Sequence, residues 1–278
     1  MTPITYEEAV SGPQKKQWEM AISDELRSLV MNNVWELTEA PKGINVVSCK
    51  WVFKIKRLLN GQIDRFKARL VARGFTQQYG VDYHETFAPV VRMESLRVLL
   101  TIAAREDLEV HQMDVITAYL AGELEEEIYM TPPHGLPGAA QKVCRLKKGL
   151  YGLKQSARVW NQRIGKKLNE SGMVVTNSDH SVWVSQKHDL ILALYVDDIV
   201  LFAHDMQAIQ WIKGILNANF SIKDLGPIST VLGIRIRRDR ARRVLWADQS
   251  HYVKDILKEF QYEDCKPLQV PTDSYEYF

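Results

Sequence analysis

An α+β fold class is what this sequence predicts, and three kinds of stretch predict it. The first is Leu190-Ile-Leu-Ala-Leu-Tyr-Val-Asp-Asp-Ile-Val-Leu-Phe202, where two short apolar runs flank adjacent carboxylates at Asp197 and Asp198. Runs of that length, bounded by His188-Asp189 and His204-Asp205, read as two buried strands joined by a tight turn near Val196 to Asp198. The second is a hairpin of alternating apolar and basic residues between Trp51 and Arg73. The third is a series of amphipathic helices whose apolar residues recur at helical spacing. Together they predict antiparallel strands backed by helices.

The chain has 278 residues, 46% of them hydrophobic, enough to bury one large core or two smaller ones. Its net charge of +2 does not by itself advertise a nucleic-acid partner, so the distribution of charge matters more than the sum. Cys49, Cys144 and Cys265 lie far apart with no metal-ligand spacing, which suits a reducing compartment and argues against a disulfide framework. No apolar stretch approaches the roughly 20 residues that span a membrane, and the first residues lack the pattern of a secretory signal. A soluble, intracellular chain with no membrane partner is expected.

Thr5-Tyr-Glu-Glu8 has capping-box spacing, and Ser11-Gly-Pro13 restarts a helix that runs to about Met31 with Trp18, Ile22, Leu26, Leu29 and Val30 inwards. A strand over Val34–Leu37 and a turn at Ala40–Gly43 follow. In the basic hairpin, Asn60-Gly61 is the turn signal. From Lys50 to Arg73 eight basic residues face a single acid, Asp64. That local excess suits phosphates, or else marks a solvated cationic edge that discourages aggregation. Gly74–Pro89 reads as a loop punctuated by Phe75, Tyr79, Tyr83 and Phe87.

A helix over Glu94–Arg105 precedes a strand over Leu108–Asp114, and Asp114 leaves that strand either as a metal ligand or as a helix N-cap. Gly122–Tyr129, rich in glutamate, reads as a solvated face, and Pro132–Gly138 as a loop. The glycines of Gly149-Leu-Tyr-Gly-Leu-Lys-Gln-Ser156 permit close backbone approach before a helix over Ser156–Glu170. Further helices are expected over Asp205–Asn217 and Ser250–Phe260, with strands over Thr230–Ile236 and Arg243–Ala247 joined by a charged turn. The tail beyond Lys266 shows no periodicity.

No Lys or Arg lies within the Leu190–Phe202 run to neutralise its two aspartates. They form either a solvated polar turn or part of a cation site, since burying unpaired carboxylates is costly. Asp114, Asp197 and Asp198 together can serve a pair of divalent ions about 3.5–4 Å apart, the arrangement that activates a hydroxyl nucleophile and stabilises a pyrophosphate leaving group.

Tyr195-Val-Asp-Asp198, preceded by Asp114-Val-Ile-Thr-Ala-Tyr119 and Gly149–Ser156, resembles the reverse transcriptase of copia-type long-terminal-repeat retrotransposons. Trp51-Val-Phe-Lys-Ile-Lys56, Lys67–Gln77, Thr86-Phe-Ala-Pro-Val90, Asp224-Leu-Gly226 and Leu232-Gly-Ile234 extend the resemblance over nearly the whole chain. It implies the fingers and palm of a right-hand polymerase: fingers at about 1–92 and 120–158, palm at about 93–119 and 159–236, and the start of a thumb at about 237–278. The implied activity is RNA-directed DNA polymerisation, with an RNA or DNA template carrying a primer and deoxynucleoside triphosphates as partners.

Carried over by position, the resemblance makes Asp114, Asp197 and Asp198 catalytic and ligands of two Mg2+ ions, with Mn2+ as the alternative and the Val115 carbonyl as a further ligand. Tyr119 falls where an aromatic gate would reject a ribose 2′-hydroxyl, the alternative being core packing. Lys54, Lys56, Lys67 and Arg69 would supply one or two grips on the triphosphate; Gly152, Lys154 and Gln155 would contact nucleotide and template. Tyr195, Val196, Leu232 and Gly233 would meet the primer, although Gly233 also suits plain strand packing. Ile116 departs from the lysine common in the family. Ribonuclease H and integrase regions are expected in a parent polyprotein, outside these residues. The implied location is cytoplasmic, in a virus-like particle, or nuclear. Two rival readings are a catalytically silent remnant that binds nucleic acid through the Lys50–Arg73 hairpin and, less economically, a two-metal nuclease.

Overall fold

The computed structural model describes residues 2–57 and 61–266. Asn60, half of the expected hairpin turn, and the tail beyond Lys266 lie outside the described residues.

Helix α1 (Tyr6–Ser11) begins where Thr5 Oγ1 accepts from the Glu8 amide at 3.2 Å, while the Glu8 carboxylate accepts from the Ile4 amide at 2.8 Å. The capping box therefore forms, reaching one residue further back than its usual partner. Helix α2 (Lys15–Met31) buries Trp18, Ile22 and Leu29. Val30 is 58% exposed instead of inward, because one residue beyond Leu29 turns it about 100° around the helix. Strands β1 (Trp35–Thr38), β2 (Val46–Val47), β3 (Cys49–Arg57) and β4 (Ile63–Ala72) follow. After a loop with one short 3-10 turn at Gly74–Thr76 come α3 (Met93–Arg105), β5 (Glu109–Val115), β6 (Glu123–Met130) and β7 (Val143–Lys148). The chain continues through α4 (Ser156–Glu170), β8 (Val174–Val175), β9 (Val182–Ser185), β10 (Leu190–Tyr195) and β11 (Asp198–Ala203). It ends in α5 (Met206–Asn219), β12 (Ile222–Pro227), β13 (Thr230–Val231), β14 (Ile234–Asp239), β15 (Val244–Asp248) and α6 (Ser250–Glu259).

The largest sheet has six antiparallel strands in the order β12-β5-β11-β10-β9-β8. Both of its faces are covered, which explains why β10 and β11 read as unbroken apolar runs. On one face Leu190, Leu192, Leu194, Ile199 and Leu201 pack with Trp160, Ile164 and Leu168 of α4 and Ile209, Ile212 and Leu216 of α5. On the other, Ala193, Val200 and Phe202 pack with Leu96, Leu99, Leu100 and Ala103 of α3. A separate core joins α1 and α2 to the β3-β4 hairpin and to the sheet β1-β7-β6-β2. The expected acidic face lies on β6, where a register shift between Glu123 and Ile128 leaves the glutamates outside while Ile128, Tyr129 and Met130 are buried.

Two expectations change. Thr230–Ile236 is not one strand: Leu232 and Gly233, at φ +50° and +75°, turn β13 back onto β14. Strand β12, carrying Asp224-Leu-Gly226, lacks the apolar alternation of a strand and forms by pairing with β5 around a bulge between Asp224 and Gly226. The arginines of the charged turn hold the small β13-β14-β15 sheet in place. Arg238 reaches the Ala103 carbonyl at 2.9 Å and Asp107 at 2.7 Å, and Arg240 reaches Glu109 at 2.6 Å. No described helix is long and apolar enough to cross a membrane.

Candidate active site

Strand β5 carries Asp114 to the end of the large sheet, where it stands directly opposite Asp198, the first residue of β11. Val196 and Asp197 form the two-residue turn between the paired Tyr195 and Asp198. Asp114 is therefore not a helix N-cap; the 3-10 turn that follows at Ala118–Ala121 begins after Thr117. Val196 has φ +54°, a conformation that a β-branched residue adopts only where its surroundings impose it. Two hydrogen bonds impose it: the Trp160 indole N–H donates to the Val196 carbonyl at 2.6 Å, and the Val115 amide donates to the Asp197 carbonyl at 2.9 Å. The turn is thus pinned from α4 on one side and from β5 on the other.

The three carboxylates differ in environment. Asp198 is half-buried, and Gln112 Nε2 donates to its Oδ1 at 3.1 Å. Burial pushes the Asp198 carboxyl up; Gln112 opposes that shift, and the charges of Asp197 and Asp114 add to it. Among the described residues none of the three aspartates forms an ion pair. Nor does any group of three or more His, Cys, Asp or Glu side chains among them stand ready to enclose a metal. The chemistry of the donor set nonetheless fits a hard divalent cation: three oxygen-bearing side chains, unneutralised and mutually repelling. The Val115 peptide lies beside them through its bond to Asp197.

The basic hairpin meets this site through two tyrosines. Directly opposed residues of β3 and β4 share a face, so Lys54 with Lys67 and Lys56 with Arg65 place like charges together, with Arg69 on the same face nearer the base of the hairpin. Such pairs destabilise a hairpin unless an anion intervenes. Burial and then Arg69, Arg65 and Lys56 push the Lys67 ammonium down, against the opposing pull of Glu25. The Arg69 guanidinium lies 4.1 Å over the Tyr151 ring, which meets Tyr119 edge-on at 4.8 Å. Burial and then the charge of Asp197 push the Tyr119 hydroxyl up, with Arg69 opposing.

Gly152, at φ +91°, allows β4 to approach the 149–155 segment: a Cβ there would lie 2.1 Å from the Ala72 carbonyl oxygen. The Ala72 amide donates to the Tyr151 carbonyl at 2.7 Å across the same seam.

Other expected site residues sit elsewhere. Gln155 is only 1% exposed, and its amide is tied into the loop: Oε1 accepts from Gln77 at 3.0 Å and Nε2 donates to the Asp82 carbonyl at 2.8 Å. Its side chain holds the loop together from inside. Lys154 lies 5.0 Å over the Tyr83 ring. Leu232 and Gly233 turn a different sheet, and Leu232 packs against the α3-side core. Tyr195 is exposed beside the turn. Three residues were not read as part of the site: Gln112, Tyr151 and Trp160, the last legible only as one side of the Ser156–Glu170 helix. Tyr151, an aromatic between two glycines, was the one with a visible signal; Gln112 and Trp160 carry none outside the fold.

Residues 32–274 match a family model described as reverse transcriptase (RNA-dependent DNA polymerase). The chain is 43% identical over 274 residues to the retrovirus-related Pol polyprotein from transposon TNT 1-94 of Nicotiana tabacum, covering 97% of this chain and 21% of that protein. It is 34% identical over 271 residues to the corresponding polyproteins from transposons RE2 and RE1 of Arabidopsis thaliana, covering 95% of this chain and 18% of each. The chain thus spans about a fifth of the length of these relatives.

Proposed function

The chain belongs to the reverse transcriptase (RNA-dependent DNA polymerase) family, and from that membership we propose that it adds deoxynucleotides to a primer 3′ end on an RNA or DNA template, releasing pyrophosphate. The observation that carries the proposal is the pairing of Asp114 with Asp198 across β5 and β11, beside a turn that holds Asp197. In this reading the large sheet with α3, α4 and α5 is a palm (about 93–119 and 159–236). The separate core around α2, the basic hairpin and β6-β7 forms fingers (about 1–92 and 120–158), and residues from about 237 begin a thumb. The relatives are Pol polyproteins several times longer, which supports ribonuclease H and integrase regions in a parent chain.

Asp114, Asp197 and Asp198 bind the two divalent cations, with the Val115 backbone beside them. When bound, Mg2+ or Mn2+ neutralises the carboxylates and stabilises charge on the attacking and leaving oxygens. Arg69, Lys67, Lys54 and Lys56 receive the triphosphate, whose negative charge relieves the like-charge pairs on the hairpin face. Gly152 keeps that hairpin close enough to the aspartates for the phosphate and the metals to share one substrate. Tyr119 excludes a ribose 2′-hydroxyl, and Tyr195 and Val196 bound the primer terminus. Positioning and charge neutralisation carry the reaction, and little covalent chemistry falls to the protein.

The test is magnesium-dependent extension of a DNA primer on an RNA template, run beside filter binding of the same duplex. Asp197→Asn is expected to abolish extension and leave binding intact. Extension that survives in Asp197→Asn removes the assignment, and binding without extension in the unaltered chain identifies a silent remnant instead.

A further inference from the structure

Strand β5 buries two polar side chains beside Val110, Met113 and Val115: His111, 7% exposed and partnered by Lys213, and Gln112, 6% exposed. A buried amide needs partners, and on this strand an aliphatic side chain would be the simpler choice. Gln112 lies two residues before Asp114 and so faces the same side of the sheet. Its register partner on β11 is Val200, which puts Asp198 diagonally across from it. On the other side its partner is Gly226 at the β12 bulge, which presents no side chain. The amide Nε2 donates to Asp198 Oδ1 at 3.1 Å.

This contact divides the carboxylate set. Among the described residues Asp198 receives a side-chain hydrogen bond, whereas Asp114 and Asp197 receive none. A neutral amide holds the carboxylate in one rotamer without cancelling its charge, which a Lys or Arg in the same place would do. One oxygen of Asp198 is thereby occupied and the other left for a ligand. Partners of this kind around a ligating carboxylate orient it, and their loss typically weakens metal affinity about 10–100-fold.

We propose that Gln112 is a positioning residue that fixes the Asp198 carboxylate for cation binding, and thereby sets the divalent-ion requirement of the site. The inference rests on the polymerase reading for its consequence in extension, but not for its first measurement.

Binding of Mn2+ is measured on the full chain by electron paramagnetic resonance, without primer or nucleotide. The proteins are the unaltered chain, Gln112→Met, Asp198→Asn and the double variant. Methionine keeps the length of glutamine and removes the donor. The expected result is Mn2+ binding weakened roughly tenfold in Gln112→Met, with no further weakening when the change is made in Asp198→Asn. The Mg2+ concentration for half-maximal extension should rise by a similar factor, with the KM for nucleotide unchanged.

Unchanged Mn2+ binding in Gln112→Met overturns the proposal, whatever happens to extension. Equal weakening in the presence and absence of the Asp198 carboxylate also overturns it, because Gln112 then acts elsewhere. So does a Gln112→Met chain that fails to fold, since its role is then structural. Absence of extension in every protein, the unaltered chain included, would count against the polymerase reading alone.

Discussion

Substituting Gly152 by alanine tests whether contact between the basic hairpin and the 149–155 segment sets the site. The added Cβ would stand 2.1 Å from the Ala72 carbonyl oxygen and 2.7 Å from a Val71 methyl, whereas ordinary contact begins at 3.4 Å. The two segments must then separate by more than an ångström, because the closer atom belongs to the backbone. That opening stretches the 2.7 Å bond from the Ala72 amide to the Tyr151 carbonyl, worth about 1 kcal/mol. Holding alanine at φ +91° costs a further 1–3 kcal/mol or so. More consequential is the shift of Arg69 against Tyr151 and Tyr119, since displacement of a binding group by about 1 Å can cost on the order of 10²-fold in rate. We expect kcat/KM for nucleotide in primer extension to fall by about two orders of magnitude, with a melting temperature lower by several degrees. Gly172→Ala is the control: its φ is +83°, but nothing lies within 4 Å of the added atom. It should show the same backbone cost, about 1–3 kcal/mol, and normal extension. Normal extension by Gly152→Ala, or equal damage from Gly172→Ala, would refute the reasoning.

Two further outcomes are expected. Tyr119→Ala should raise ribonucleotide incorporation relative to deoxynucleotide in single-nucleotide extension, and unchanged sugar discrimination would remove the gate. An ionic cluster around a buried ammonium ties α5 and β12 to β5: Lys213, only 3% exposed, donates to both Asp224 oxygens at 2.7 and 2.8 Å and to His111 Nδ1 at 2.8 Å. Because an ammonium only donates, His111 accepts and carries its proton on Nε2. Burial and then Lys213 push the His111 imidazole below its usual 6.5, with Asp224 and Glu109 opposing. Folded His111 therefore stays neutral where the unfolded chain takes up a proton, so stability falls as pH drops through 6.5 towards the lower folded value. Desolvation works against Asp224, but hydrogen bonds from Lys213 and the Gly226 amide outweigh it and hold its carboxyl below 3.8. Its contribution is present above that pH and is lost further into acid. Urea denaturation between pH 7 and 5 should show a shallower loss of stability in His111→Gln; an identical slope would refute the assignment.

The aspartate turn was legible because its signal is local. Apolar residues on both sides of Asp197-Asp198 specify buried strands, and no cation lies in the run to excuse two carboxylates. The helices were legible for the same reason, as Leu96, Leu99, Leu100 and Ala103 show. The basic hairpin was visible from alternation, which put Lys54 and Lys56 on one face; its register adds Lys67 and Arg69 to that face. The burial of Gln155 was not legible, because a polar residue near glycines resembles an exposed one; only the fold reveals Gln77 and the Asp82 carbonyl around it. Strand β12 was missed because its Ile222-Lys-Asp-Leu-Gly-Pro227 sequence carries turn residues, and its strand character comes from pairing with β5.

Sequence by itself determined the chemistry available here: three carboxylates, a cationic hairpin, an aromatic at position 119 and glycines at the points of close approach. Periodicity and charge are written along the chain, so they survive without coordinates. Only the tertiary structure decided that Asp114 faces Asp198, that Trp160 and Val115 hold the strained turn, that Tyr151 links Arg69 to Tyr119, and that Gln112 singles out one carboxylate. Each of those is a contact between residues far apart in the chain, fixed by strand order and register, which no local pattern encodes.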